Sequence, residues 1–327
     1  MSTLSDEMLD RMFRAANPAT RPETSGLTAA EIAVREKIIR GARPRTSLTR
    51  RGWALAGLPA AAAAAAVAVL VAVNVLSPGQ QASALGPPPL DYAPAGTLSS
   101  VISTAEGQLL SAPDVAQESR VSTVGWAWNV DMSEKQIEIV PQDVVLEWTP
   151  GGTARTVITA GVAYWTADER PDGLDGSPYK PGEVIDTIDS VVDESWVPAS
   201  VAELNGVEGL EPALAAFGAG GDSSSGEVLA AITGLQQYWT LDDAQQAALL
   251  DILVDAGEVT VRGETEDRLG RPVIGLTVSS SVPERVETLF ISTETGRLAG
   301  VESELVGPLD GLPAGVISYT MWDADDD

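Results

Sequence analysis

The sequence of 327 residues contains no cysteine and no histidine. Without these residues the chain has no disulfide, no thiolate nucleophile, no Cys/His zinc site and no Ser-His-Asp triad. It also has no G-x-x-x-x-G-K-[ST] phosphate loop, and no G-x-G-x-x-G follows a predicted strand. We therefore expect a protein that is not an enzyme and that carries no cofactor and no metal.

Basic residues are scarce outside the N-terminal segment. Residues 1–52 carry ten Lys/Arg and six Asp/Glu, a net charge of +4, and residues 53–76 carry no charge. Residues 77–327 carry ten Lys/Arg and forty-one Asp/Glu, a net charge of −31. A domain of that charge repels phosphate backbones, so we expect no nucleic-acid partner.

The uncharged run at residues 53–76 contains eleven Ala, five Val and four Leu. As a helix it would be about 36 Å long, enough to cross a hydrocarbon core of about 30 Å. Its alternating valines also fit a buried strand of a soluble domain. The length of the run and its basic flank favour a transmembrane helix, with the lipid bilayer as its partner.

The flanks of this run predict its orientation. Six Lys/Arg lie between residues 37 and 51, and none lies in residues 77–81. Positive charge stays on the cytoplasmic side, so we predict a single-pass protein of the plasma membrane. Its N-terminus is cytoplasmic and its C-terminal domain is extracytoplasmic. Ala82-Ser83-Ala84 fits an A-x-A cleavage pattern, which leaves open whether the segment is retained or cleaved near Ala84.

The N-terminal 52 residues predict two short helices, at residues 4–16 and 28–40. The second begins with a T-x-x-E capping box. Helices of this length are marginal in water unless another surface covers their apolar side. The row that needs a cover consists of Met8, Leu9, Met12 and Phe13, which we predict to face a cytoplasmic protein partner. The alternatives are the membrane surface or a partly disordered tail.

The remainder predicts a Pro/Gly/Ala linker at residues 77–97 and an acidic α+β domain at residues 98–327. The domain is expected to be a curved antiparallel sheet with packed helices. Polar loops are predicted at 168–182 and 222–226. Helices are predicted at 98–110, 228–238 and 240–257, and strands at 121–130, 136–148, 155–166, 258–263, 272–280, 286–292, 297–305 and 316–322.

Three patterns in this domain are candidate sites. Trp126 and Trp128 share one face of a predicted strand, as aromatics lining a groove for lipid or glycan would, although core packing is the commoner use. Ser177 and Lys180 have the S-x-x-K spacing of an acyl enzyme but lie in a polar loop that contains proline. The acids of residues 168–175 and 323–327 do not follow the spacing of a calcium loop.

Two C-terminal motifs resemble those of a known family: D-R-L-G-R at residues 267–271 and L-F-I-S-T-E-T-G-R-L-A-G at residues 289–300, in which Ser292-Thr293 stands where the family tends to have Asp-Pro. With residues 9–18, which resemble the start of actinobacterial anti-sigma proteins, they resemble a widespread actinobacterial family of single-pass membrane proteins. Its members are often encoded beside extracytoplasmic-function sigma factors, so the resemblance implies a sigma factor as partner. We predict that Gly270 and Gly296 occupy turns with positive φ and that both motifs are structural.

These observations lead to two functional hypotheses. The first is a membrane-anchored regulatory or sensor protein, anti-sigma-factor-like, that couples its exported domain to the cytoplasmic partner. The alternative is an envelope module that binds lipid or glycan and uses the N-terminus as a simple anchor. The predicted architecture is similar to the half-barrel of lipoprotein carriers, a likeness of fold that does not itself imply a function.

Overall fold

A computed structural model describes residues 87–111, 115–131, 136–139, 141–162, 179–280, 284–307 and 314–322. The predicted cytoplasmic helices with Met8, Leu9, Met12 and Phe13, the predicted membrane segment and the pattern at Ala84 lie outside these residues. Within them, no helix has both the length and the apolar character that a membrane crossing needs.

The described part of the chain is an α+β structure, as predicted. Its helices are α1 (Leu98–Ser111), α2 (Ala199–Ala202), α3 (Leu210–Ala216), α4 (Ser225–Leu235) and α5 (Asp243–Asp255), with a 3-10 turn at Val207–Gly209. Its strands are β1 (Arg120–Asp131), β2 (Gln136–Ile139), β3 (Gln142–Trp148), β4 (Thr153–Ala160), β5 (Val184–Val191), β6 (Val259–Glu266), β7 (Pro272–Ser279), β8 (Arg285–Ser292), β9 (Leu298–Leu305) and β10 (Gly315–Trp322).

Nine of these strands form one open antiparallel sheet in the order β5-β4-β3-β1-β10-β9-β8-β7-β6, and β2 pairs with the far end of β1. The sheet therefore has two halves, one made of β1 with β3 to β5 and the other of β6 to β9. The last described strand, β10, lies between them and pairs with β1 on one side and β9 on the other.

The helices pack on one face of this sheet, which we call the helix face. Leu276, Leu289 and Val301 lie opposite one another on β7, β8 and β9. They belong to the same buried cluster as Leu249 and Leu253 of α5. Since side chains alternate along a strand, the intervening residues point to the opposite face, which we call the outer face.

Helices α4 and α5 behind this core each begin with a capping box, at Ser224 with Glu227 and at Asp242 with Gln245. Helix α4 therefore starts inside the segment predicted as a loop. The predicted capping residue Thr240 lies instead beside β1, where its hydroxyl donates to the carbonyl of Arg120 at 2.7 Å. The predicted end of α5 is confirmed, since Gly257 follows the helix with φ of 83°.

The N-terminal half of the sheet differs from the prediction in two places. The strand expected at residues 136–148 is divided into β2 and β3 near Pro141, whose missing N–H cannot join a ladder. The strand β5 was not predicted. Its valines and isoleucines are interrupted by aspartate, threonine and serine, which weakens the apolar pattern of a strand.

Candidate functional site

The end of the predicted linker is part of the folded domain. The backbone N–H of Ala93 donates to the carbonyl of Glu264 at 2.8 Å, and the N–H of Glu264 donates to the carbonyl of Ala93 at 2.9 Å. The hydroxyl of Thr265 donates to the carbonyl of Asp91 at 2.8 Å. Residues 91–93 therefore lie along the outer edge of β6. We call this place, with the side chains beneath it, the linker site.

Tyr92 of the linker enters a depression in the outer face. Gly263 on β6 and Gly275 on β7 are paired, so two adjacent positions lack side chains. A Cβ at Gly275 would lie 2.9 Å from Cε1 of the Tyr92 ring, and a Cβ at Gly263 would overlap the carbonyl oxygen of Ala93. Gly263 also has φ of 143°, which other residues rarely adopt. The close approach of the linker therefore depends on both glycines.

Arg262 joins the Tyr92 ring to the strands beneath it. Its guanidinium carbon is 4.5 Å from the ring centroid, which is a cation–π distance. The same guanidinium donates to the hydroxyl of Thr288 at 2.8 Å and to the carboxylate of Glu304 at 2.7 Å. One cation thus connects the linker with β6, β8 and β9.

A second ion pair of the linker site lies deeper. Nε of Arg268 donates to the carboxylate of Glu302 at 2.7 Å, and the two side chains are only 7% and 1% exposed. Glu302 and Glu304 are two residues apart on β9, so alternation places both on the outer face. Two carboxylates and two guanidinium groups are gathered there, and their formal charges balance.

Burial governs the titration of this network. It raises the pKa of Tyr92 to about 12, which the charge of Arg262 partly opposes. Burial also raises the pKa of Glu302, against the hydrogen bond from Arg268. The Tyr92 hydroxyl and Nη2 of Arg268 are buried and find no hydrogen-bond partner among the described residues. Such incompletely satisfied polar groups weaken a buried network.

The same face of the sheet is solvated in its other half. Arg120 lies 3.5 Å from Glu147, and Arg155 lies 3.6 Å from Asp189, with all four side chains at least 45% exposed. Exposed pairs of this kind contribute little to stability because water screens them. On the outer face, the ion pairs of one half of the sheet are therefore exposed to water, whereas those of the other half are buried near the Tyr92 ring.

The first family-like motif has a structural role. One carboxylate oxygen of Asp267 accepts from the backbone N–H of Leu269 at 2.8 Å and of Arg271 at 3.0 Å. Arg271 in turn donates to the carbonyl of Trp322 on β10 at 2.8 Å. Gly270 has φ of 79°, as predicted. The motif closes the β6–β7 turn and attaches it to the centre of the sheet.

The second motif attaches a hairpin to the helices. Gly296 has φ of 75°, as predicted, and a Cβ there would overlap the carbonyl oxygen of Ala105 on α1. Arg297 forms an ion pair with Asp243 at the start of α5 and donates to the carbonyl of Leu241 at 2.7 Å. Both motifs therefore support the prediction that these residues hold the fold together.

The predicted groove residue Trp126 is 2% exposed, and its ring stacks on Tyr319 of β10 with centroids 6.2 Å apart. This burial agrees with the alternative prediction that Trp126 is packed in the core and does not line a groove. Trp128 pairs by its backbone with Ile139, and its side chain lies outside the described residues, so a groove there stays a prediction. Ser177 and the acids of 168–175 and 323–327 also lie outside. The described residues contain no group of three acids placed to hold a metal.

Other aromatic residues form a cluster on the helix face. The rings of Trp148 and Trp239 meet edge to face with centroids 4.8 Å apart, and both side chains are buried. Nε1 of Trp239 donates to the carbonyl of Val201 at 2.8 Å. Beside the cluster is an open pocket of about 430 Å³, lined by Gln117, Glu118, Ser119, Arg120, Glu147, Trp148 and Trp239.

No protein-family model, curated protein or solved structure matches this chain. The linker site was not found by sequence reasoning. The Pro-rich composition of residues 87–89 indicates an extended spacer and gives no sign that the next residues join a sheet. The available signal was the spacing of Glu302 and Glu304, which places two carboxylates on one face of a predicted strand.

Proposed function

We propose that this chain is a membrane-anchored regulatory or sensor protein, anti-sigma-factor-like, in which the exported domain controls a cytoplasmic partner through the linker. The division of the sequence into a basic segment, an apolar run and an acidic domain supports the topology. The predicted row of Met8, Leu9, Met12 and Phe13 supports a helical binding mode for the partner, which the family resemblance suggests is a sigma factor.

One structural observation favours coupling over simple anchoring: the linker docks on the domain through a few separable contacts. They are two backbone hydrogen bonds, one hydroxyl bond and the Tyr92 ring over Arg262. A simple anchor needs no such contact, because any flexible spacer holds a domain near a bilayer. A change in β6 or β7 alters the register or release of the linker, and the linker continues into the predicted membrane segment.

The proposed topology is tested by fractionating cells that express the full chain. We expect the uncleaved protein in the membrane fraction, released only by detergent, with protease added outside cells reaching the acidic domain. An uncleaved full-length product in the aqueous fraction without detergent would contradict the topology and with it the proposed coupling.

The proposed partner is tested with a photo-crosslinking amino acid at Phe13 in the full chain within its native membrane. We expect one cytoplasmic protein, a sigma factor, to be captured and identified by mass spectrometry. The control places the same crosslinker at Glu7 on the polar side of the predicted helix. Absence of any specific product at Phe13, in a correctly inserted protein, would end the regulatory half of the proposal.

The alternative is an envelope module that binds lipid or glycan in a half-barrel like those of lipoprotein carriers. Its candidate site would be the open, mostly polar pocket beside Trp148 and Trp239. It predicts that solvent extracts of the purified full chain contain a lipid or glycan in stoichiometric amount. It also predicts that function survives replacement of residues 1–40 by another anchor, which the regulatory proposal does not allow.

A further inference from the structure

The two edges of the sheet are treated differently. The edge formed by β6 is lined by residues 91–93 of the linker, whereas β5 at the opposite edge pairs only with β4 within the part of the chain that the structure describes. No residue of β5 is buried, and Val184 and Val191 are 55% and 71% exposed. An edge strand with exposed apolar side chains is a ready template for another extended segment.

The direction of the backbone groups on β5 follows from two hydrogen bonds. The N–H of Val192 donates inward to the carbonyl of Gly152 at 3.0 Å. Since inward and outward groups alternate along an antiparallel strand, the backbone groups of Val191, Asp189 and Thr187 point outward. The N–H of Thr187 indeed lies outside the ladder and donates to the carboxylate of its neighbour Asp186 at 2.8 Å.

The charge of this edge selects among possible occupants. Residues 183–194 contain five acids and no Lys or Arg, and one of these acids, Asp189, makes an exposed contact with Arg155 of β4 at 3.6 Å. A second copy pairing antiparallel along β5 would bring two of these acidic strands side by side, and like charges on neighbouring strands are destabilising. Lys or Arg opposite Asp186 and Asp189 on an added strand would be favoured for the same reason. The edge therefore disfavours self-pairing and favours a basic partner.

We propose that the outer edge of β5 binds an extended polypeptide segment that carries Lys or Arg three residues apart with apolar residues between and outside them, added as one more antiparallel strand. The spacing follows from Asp186 and Asp189, which are three residues apart and so lie on opposite faces of the sheet. The apolar positions of the segment would pack beside Val184, Ile188 and Val191. This inference concerns the exported domain and does not depend on the proposed cytoplasmic partner.

The probe for this proposal is a fluorescent peptide with the core V-T-K-V-T-K-T-V, whose lysines oppose Asp189 and Asp186 in an antiparallel alignment. The matched control peptide has Glu in place of both lysines. Binding to the full chain in detergent is followed by fluorescence anisotropy. We expect saturable binding of the lysine peptide that weakens as salt is raised, and at least tenfold weaker binding of the glutamate peptide.

Three variants locate the binding. Thr187→Pro removes an outward N–H without removing a bond to β4, and edge strands tolerate proline at such positions. The double variant Asp186→Lys with Asp189→Lys reverses the charge and keeps the backbone. Each should weaken binding of the lysine peptide at least tenfold, while Glu147→Lys on the interior strand β3 should leave it unchanged. Circular dichroism checks that each variant is folded. If Thr187→Pro does not fold, the double variant provides the test.

Hydrogen exchange provides the second measurement. On addition of the lysine peptide, we expect slower exchange of the amides of Asp189 and Val191, with no comparable change on β3. Equal binding of both peptides, unchanged binding by the folded variants, or a dimer of the chain paired through β5 would each overturn the proposal.

Discussion

Tyr92 occupies a depression that exists because two paired residues, Gly263 and Gly275, have no side chains. The ring contributes packing and a cation–π contact with Arg262, and its hydroxyl is buried without a described partner. Substitutions of this one residue test these contributions separately. Removal of the hydroxyl tests the free-energy cost of burying it, whereas removal of the ring tests the docking of the linker.

Tyr92→Phe is expected to leave the unfolding free energy at neutral pH almost unchanged, because an unpaired buried hydroxyl contributes little or nothing. The two proteins should differ at alkaline pH. The pKa of Tyr92 is raised from 10.0 to about 12 in the folded state, so its contribution is fully present below pH 10 and is lost as pH rises towards 12. Urea unfolding of both proteins across that interval measures the difference. An identical alkaline loss in Tyr92→Phe would contradict the burial of the phenol.

Glu302→Leu is expected to destabilise the domain by about 3–5 kcal/mol, because it leaves the guanidinium of Arg268 buried without its counter-charge. Adding Arg268→Met to this variant should recover most of the loss, since a buried pair replaced by apolar residues is often neutral. Urea unfolding at neutral pH provides the measurement.

The matched control is Glu147→Leu, which breaks the exposed pair with Arg120. It should change the unfolding free energy by no more than about 0.5 kcal/mol. Similar losses in the two single variants would mean that burial does not distinguish the ion pairs of the linker site from those of the solvated half.

At the scale of elements, the β8–β9 hairpin is attached to two helices by consecutive residues. Gly296→Ala should destabilise strongly, because the added Cβ overlaps the carbonyl oxygen of Ala105 in addition to the strain at φ of 75°. Gly151→Ala, with φ of 65° but open space around its Cβ, should show only the conformational cost of about 1–2 kcal/mol. Thermal and urea unfolding compare the two. Equal losses would mean that α1 moves aside without cost.

The pairing of the linker with β6 is tested by Ala93→Pro, which removes the N–H that donates to Glu264. We expect the amide of Glu264 to lose its protection from hydrogen exchange and residues 87–97 to become more sensitive to proteases. The unfolding free energy of the domain should fall by only about 1 kcal/mol, the scale of one hydrogen bond. A cooperative collapse of β6 and β7 would instead mean that the linker is an integral strand and not a separable segment.

The C-terminal strands were predictable because each has its own signals. The expected segments 272–280, 286–292 and 316–322 agree with β7, β8 and β10 to within a residue at either end, since β-branched residues alternate between turns rich in glycine. The linker site was not predictable. It brings Tyr92 to Gly275, far along the chain, and no local pattern marks a depression made by two glycines on neighbouring strands.

At the scale of the whole molecule, the carboxylates at the two edges of the sheet have different surroundings. Carboxylates are matched one to one with arginines where the linker covers the sheet. Around β5 five acids have no Lys or Arg within their own segment, and Asp189 has only an exposed contact with Arg155 of β4. The first arrangement stabilises a docked segment of the same chain. The second leaves a surface of one sign beside free backbone groups, and this asymmetry is why the two sheet edges are assigned different occupants.

The central place of β10 has a consequence for how the chain is made. The pairs that join the two halves of the sheet are those of β10 with β1 and β9, so hydrogen-bonded continuity across the sheet waits for residues 315–322. During synthesis the ribosome releases these residues after every other described strand, and a nascent chain that stalls earlier holds two separate half-sheets with unpaired edges. A chain that ends before β10 would therefore expose the edges of β1 and β9 to aggregation.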